Sequence, residues 1–275
     1  MITLRPPRGW IPLNLSDLWA YRELVYFLTW RDIKVRYKQA ALGVGWAILQ
    51  PILTMLIFTV IFGRLLGLEP DAGISPELYP VFTFAGLLPW HLFQNGLQRS
   101  GVSLVTNANL LTKIYFPRLI IPFSAVLAGL VDFFFSFLVL VGLMLYYHVP
   151  FSLKLLWILP LMLLAVLAAL AAGLWLAALN VQYRDVQQMI PFLIQAWMYA
   201  SPVAYSVDAI PADSAWRIVY GLNPLAGVIQ GFRWALLGSQ PPDELILVSI
   251  GMVIVLLISG LYYFRRMERT FADMV

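Results

Sequence analysis

The chain has 275 residues, 61% of them hydrophobic and only 12% charged, with a net charge of +4 and no cysteine. A soluble domain carries about 25% charged residues, so this composition excludes an ordinary soluble enzyme, and the missing thiols exclude disulfides and thiolate metal sites. The positive charge is read as basic loops on one side of a membrane rather than as a nucleic-acid surface.

Residues 1–43 read as a cytoplasmic N-terminal segment. They hold Arg5, Arg8, Asp17, Arg22 and Glu23 and no apolar run ending in small residues, so no cleavable signal peptide is expected. Within them SDLWAYRELVYFLT, Ser16 to Thr29, sets Leu18, Tyr21, Val25 and Leu28 on one helical face, with Trp19, Tyr26 and Trp30 nearby. That pattern predicts an amphipathic helix in the inner headgroup layer, or a plain chain anchor.

Residues 44–264 read as a transmembrane domain, all-α, of six spans: Val44 to Leu66, Tyr79 to Leu97, Leu119 to Tyr147, Leu155 to Leu179, Met189 to Val207 and Leu245 to Phe264. The second, interrupted by Pro80, Gly86 and Pro89, is the weakest by hydropathy, and the third exceeds the roughly 20 residues that a bilayer needs. Runs without period-2 alternation favour helices over a barrel. Between the fifth and sixth spans, residues 208–244 form a re-entrant or outer segment: Asn223-Pro224 opens a short helix with Pro at its first position, Gly238 closes it, and a shorter helix at Ala215 to Tyr220 pairs with it. A small surface subdomain is the other reading. Residues 265–275 form a cytoplasmic tail.

Placing the N-terminus inside puts Arg5, Arg8, Arg22, Arg31, Lys34, Arg36, Lys38, Arg99, Lys113, Arg118, Arg184, Arg265, Arg266 and Arg269 on the inner side. Only Arg64, Lys154, Arg217 and Arg233 remain outside, so both termini are expected in the cytoplasm.

The histidines, His91 and His148, are far apart and near predicted membrane surfaces. The sequence has no zinc-protease helix, no nucleophile elbow and no nucleotide-binding P-loop. An ATP-driven process would therefore take its ATPase from another polypeptide. Asp132 is the carboxylate set well inside a span; it pairs with another helix, faces an aqueous cavity, or relays protons. No ring of charge marks an ion pore.

Four long blocks carry a resemblance. TWRDIKVRYKQAALGVGWAILQPILTMLIFTVIFGRL (Thr29 to Leu65), NANLLTKIYFPRLIIP (Asn107 to Pro122), LNVQYRDVQQMIPFLIQAWMYASPVAY (Leu179 to Tyr205) and LNPLAGVIQGFRWALLG (Leu222 to Gly238) resemble the membrane-spanning permease subunits of type-2 ABC exporters of O-antigen, capsule and teichoic acid polymers. The resemblance implies a homodimer of six-span subunits, two separate ATP-binding subunits, and a channel lined mainly by the first and fifth spans. No cofactor is expected in this chain; ATP and magnesium belong to the partner subunit.

Such a cargo has an anionic lipid phosphate, a lipid tail and a train of sugars. Arg31, Lys34, Arg36 and Lys38 are candidates for recruiting the phosphate, or anchor the topology. Sugars stack on aromatic faces, so Gln50, Phe58 and Phe62 on the first span and Gln195, Trp197, Met198, Tyr199 and Tyr205 on the fifth are candidate channel residues, with packing the alternative role. Pro51, Pro191 and Pro202 either let these helices part or make fixed kinks. The loop from Val102 to Arg118, holding VSLVTNANLLTKI, is the expected coupling helix, with Asn107, Asn109, Leu111 and Lys113; Tyr183, Arg184 and Asp185 form a second contact for the ATPase. The alternatives are an exporter of drugs or another hydrophobic cargo, and an integral membrane enzyme acting on lipid-linked sugars.

Overall fold

The computed structural model describes residues 19–38, 44–71, 73–113, 116–207, 215–242, 244–268 and 271. Among the described residues every regular element is helical: α1 (Arg22–Lys38), α2 (Val44–Phe58, running on as a π-helix, Thr59–Leu65), α3 (Tyr79–Thr106), α4 (Ala108–Lys113), α5 (Ile120–Leu127), α6 (Gly129–Tyr146), α7 (Ile158–Gln182), α8 (Val186–Tyr199), α9 (Ala215–Gly221), α10 (Ala226–Leu237) and α11 (Leu245–Met267). Four helical stretches among them are long and apolar enough to cross a membrane: Gly45–Leu65, Ile120–Tyr146, Leu153–Gln182 and Leu245–Met267. The chain is thus a multi-pass membrane protein.

The core is built around α3, which packs against α7, α5, α6, α10, α2 and α8. Every residue from 81 to 93 is buried. This explains the weak hydropathy of its sequence: a helix shielded from lipid by its neighbours need not be uniformly apolar. Its closest partner is α7, and small residues set their spacing. A Cβ added at Gly96 would lie 2.9 Å from Ala169 Cβ, and one at Gly173 only 2.6 Å from Ser100 Cβ. Where these backbones approach, Asn180 Nδ2 donates to the Gly101 carbonyl at 3.0 Å.

Several boundaries differ from the sequence reading. The N-terminal helix runs on from Thr29 to Lys38; Val25 and Leu28 are buried in the protein core, Tyr21 is exposed, and Leu18 and Ser16 lie outside the described residues. Its second half is held by polar bonds of Arg31 and Arg36. The third span is divided at Ala128, whose backbone stays right-handed helical. The expected fifth span to Val207 ends as a helix at Tyr199. Beyond it Pro202 withholds an N–H, and side chains take the freed carbonyls: Asn223 Nδ2 donates to Ala200 O at 3.1 Å, and Arg233 donates to Val203 O at 2.9 Å and Tyr205 O at 3.1 Å.

The expected coupling helix is also recut. Residues 102–106 finish α3, and a separate short helix, α4, follows Asn107. Asn107 makes the break because its amide donates to Ser103 O at 2.8 Å, competing with the helical ladder. The helix expected to open at Asn223-Pro224 begins at Ala226, so Pro224 stands in the turn before it rather than at its first position. There Asn223 Oδ1 accepts from Leu225 N at 3.0 Å. Gly238 ends the helix as read, at φ 70°, the left-handed conformation that favours glycine.

Candidate functional site

An isolated carboxylate in a span is costly unless paired. Asp132, near the start of α6, has its side chain only 12% exposed. Arg36 Nη1 from α1 and Arg99 Nη2 from α3 converge on the same oxygen, Oδ2, at 2.5 Å and 2.6 Å. The Tyr37 hydroxyl donates to Oδ1. Burial, and then this bond to an anion, push the Tyr37 phenol up to about 12 from its ordinary 10.0. Of the roles open to Asp132, the pairing with other helices is the one found, and it also lines a cavity.

That cavity, about 180 Å³, lies between α1, α2, α3 and α6; Gln50, His91, Asn95 and Ser136 line it beside the charged cluster. His91 is 8% exposed, in the middle of α3. His148 sits in the exposed turn after α6. On the other side of Arg36 and Arg99 is a wider groove of about 430 Å³, lined also by Arg31, Thr106 and Asn107.

The basic candidates therefore divide. Lys34 and Lys38 are exposed, whereas Arg36 is bound to Asp132. Arg31 holds Asp32 Oδ1 at 2.8 Å and Asn107 Oδ1 at 2.8 Å. One phosphate candidate and one coupling candidate are thus a single hydrogen-bonded pair, joining α1 to the end of α3. Of the other coupling candidates, Asn109 and Lys113 are exposed, Leu111 is buried, and Tyr183, Arg184 and Asp185 form an exposed turn between α7 and α8.

The channel candidates divide too. Gln50, Gln195 and Tyr199 are exposed. Phe58 and Phe62 meet edge to face at 5.1 Å, both half-buried. Trp197 packs on Phe93 at 4.9 Å, its Nε1 donating to Asn223 Oδ1 at 3.0 Å, and Met198 is half-buried against the core. Tyr205 meets the Tyr220 hydroxyl. Burial, and then this contact, raise the Tyr220 phenol above its ordinary value.

Sequence reasoning placed Arg99 only as an inner-side charge and gave no role to Tyr37, His91 or Asn95. The usable signal was Asp132 itself, since a carboxylate in a span demands cations, and Arg36 and Arg99 stand at the ends of the neighbouring elements.

Comparison with known proteins adds to this geometry. Residues 23–237 match the ABC-2 type transporter family. The chain is 32% identical over 259 residues to the O-antigen export system permease protein RfbA of Myxococcus xanthus, covering 92% of this chain and 96% of that protein. It is 30% identical over 254 residues to the protein of the same name in Klebsiella pneumoniae, covering 92% and 95%. With the polysialic acid transport protein KpsM of Escherichia coli it shares 27% over 248 residues, covering 86% and 91%. A match across this span, with relatives aligned nearly end to end, places the chain in the ABC-2 type transporter family.

Proposed function

We propose that this chain is the membrane-spanning subunit of an ATP-driven exporter that carries a lipid-linked polysaccharide, of O-antigen, capsule or teichoic acid type, across the bacterial inner membrane. The observation that carries this reading is the near full-length relationship to permeases named for O-antigen export and polysialic acid transport. The sequence holds no nucleotide-binding P-loop, so a separate ATP-binding subunit, with its ATP and magnesium, supplies the energy.

In this reading the subunit has six spans, α3 and α8 completing the four long apolar ones, with both termini cytoplasmic and α9 and α10 forming a re-entrant pair on the outer side. Two copies meet across α2 and α8. The uncovered faces of these helices support this: 11% of the most apolar window of α2 is buried, against 50% in α7, and Phe192 and Tyr199 of α8 are 75% and 62% exposed. Gln50, Phe58, Phe62, Gln195, Met198 and Tyr199 then offer aromatic faces and replaceable hydrogen bonds to a passing sugar chain. Lys34 and Lys38 draw the anionic lipid head to α1. The segment Asn107 to Lys113 and the Tyr183 turn receive the push of the ATPase.

A strain lacking this chain tests the reading. Long lipid-linked polymer accumulates on the cytoplasmic side of the inner membrane and disappears from the surface. Unchanged surface glycan, with no redundant exporter, overturns it.

A further inference from the structure

We infer that the cavity around Arg36, Arg99 and Asp132 is a binding site for the phosphate or diphosphate group of a lipid, set inside the bundle rather than on the surface of α1. The inference rests on the export reading and names which part of the cargo this chain grips.

Charge is the first argument. Two guanidiniums and one carboxylate line the cavity, leaving one positive charge in excess, and no second carboxylate lines it among the described residues. Uncompensated charge in a largely apolar bundle is costly, and a phosphate oxyanion is its natural complement, since arginine offers a planar fork of donors to it. Asp132 uses only part of that supply. Both arginines reach it through one oxygen, while Arg99 Nη1 is buried with no hydrogen-bond partner.

The second argument is independent of the arginines. His91, 8% exposed, lines the same cavity with Nε2 buried and unpartnered. A stranded polar atom of this kind costs roughly 1–3 kcal/mol, and its ring belongs to the wall of the cavity. Asn95 and Gln50 add amide groups to the same wall. The donors are thus arranged for an acceptor that the chain itself does not supply.

Access and source come from the neighbouring surfaces. Arg36 and Arg99 line both the cavity and the wider groove that runs to Arg31 and Asn107, so an anion in the groove reaches the same pair that lines the cavity. On another side, Phe133 lines the cavity and also an apolar groove of about 370 Å³ with Phe134, Phe137, Ile158 and Leu159. A polar pocket and an apolar channel sharing one aromatic wall fit a molecule with an anionic head and a hydrocarbon tail, which favours a lipid phosphate over a free one.

The test uses the full chain in phosphatidylcholine nanodiscs, with binding read by native mass spectrometry. The probes are polyprenyl diphosphate, phosphatidylglycerol and soluble inorganic pyrophosphate. Polyprenyl diphosphate binds the unaltered protein. Arg99→Gln, which leaves Asp132 neutralised by Arg36, weakens binding at least tenfold. Gly129→Ala guards against misfolding: its Cβ would meet Arg99 Nη1 at 3.9 Å and Leu92 Cδ1 at 3.8 Å, ordinary contacts, while filling space beside the guanidinium. It weakens binding several-fold in a protein of unchanged melting temperature. Gly142→Ala, in open space, changes nothing.

Equal binding by the unaltered protein, Arg99→Gln and Gly129→Ala overturns the site. Pyrophosphate binding as tightly, with the same dependence on Arg99, overturns the lipid source. Phosphatidylglycerol matching polyprenyl diphosphate makes this a site for bulk lipid and overturns the role in cargo recognition. None of these results touches the export reading, which stands or falls on the surface glycan of the deletion strain.

Discussion

The closest approach in the bundle gives the sharpest mutational expectation. A Cβ on Gly173 of α7 would lie 2.4 Å from Ser100 Oγ and 2.6 Å from Ser100 Cβ of α3, where ordinary contact begins at 3.4 Å. The hydroxyl can rotate away; the Cβ cannot, being fixed to its backbone. Gly173→Ala therefore forces α3 and α7 apart by about 1 Å, and overpacking of this kind costs about 1–3 kcal/mol. Alanine regains about 1 kcal/mol of helix propensity over glycine. The clash wins, because the neighbouring Gly96–Ala169 approach must open with it, and the expected net loss is about 1–2 kcal/mol, a factor of about 5–30 in the folded ratio. Ser100→Gly removes the opposing Cβ, so the double variant recovers most of that loss. Equilibrium unfolding in mixed micelles, followed by far-ultraviolet circular dichroism, measures the four proteins of the cycle. A Gly173→Ala protein as stable as the original, or a coupling under about 0.5 kcal/mol between the two changes, would refute the reasoning.

Tyr37 gives a pH expectation with a definite sign. Its phenol is pushed up to about 12 from 10.0, so its contribution to stability is complete below pH 10 and is lost as the pH rises through about 12. Carbon-13 NMR of labelled tyrosine, with Tyr37→Phe to assign the signal, shows this residue still protonated midway between those values, and in Asp132→Asn titrating closer to 10; a wild-type transition at 10 contradicts the account. Near the end of α8, a Cβ on Gly86 would lie 3.1 Å from Arg233 Nη2 and 3.2 Å from Val203 O. Gly86→Val displaces the guanidinium from the Val203 and Tyr205 carbonyls, bonds to a charged donor worth about 1.5–3 kcal/mol each. Surface polysaccharide falls several-fold at normal membrane abundance of the chain, and full export by this variant argues against a role for the unwound segment.

The long apolar spans were legible because hydropathy over about 20 residues is a strong, local signal. The end of α8 was not: ASPVAY continues an apolar run, and its departure from the helix depends on Arg233 and Asn223, supplied from later in the chain. The partners of the second half of α1 were hidden for a related reason: what holds WRDIKVRYK, Asn107 and Asp132, is 76 and 96 residues away. Asp132 was recognised as a residue needing partners, yet choosing Arg36 and Arg99 required knowing that α1 and α3 flank α6. The channel candidates were chosen by residue type, so Trp197 entered that group although Asn223 holds its indole within the subunit.

The two polar attachments of α1 have a mechanical consequence. Arg31 is tied to Asn107 and Arg36 to Asp132, anchor points about 7.5 Å apart along the helix axis. Val25 and Leu28 pack the first half of α1 into the core; the two polar anchors, the second shared with the Tyr37 hydroxyl, make its second half a splint that fixes its angle to both α3 and α6. On the coupling role proposed for Asn107 to Lys113, a displacement applied at Asn107 would travel along α1 as a rigid rod and reach Asp132, turning a push at the end of α3 into torque on α6.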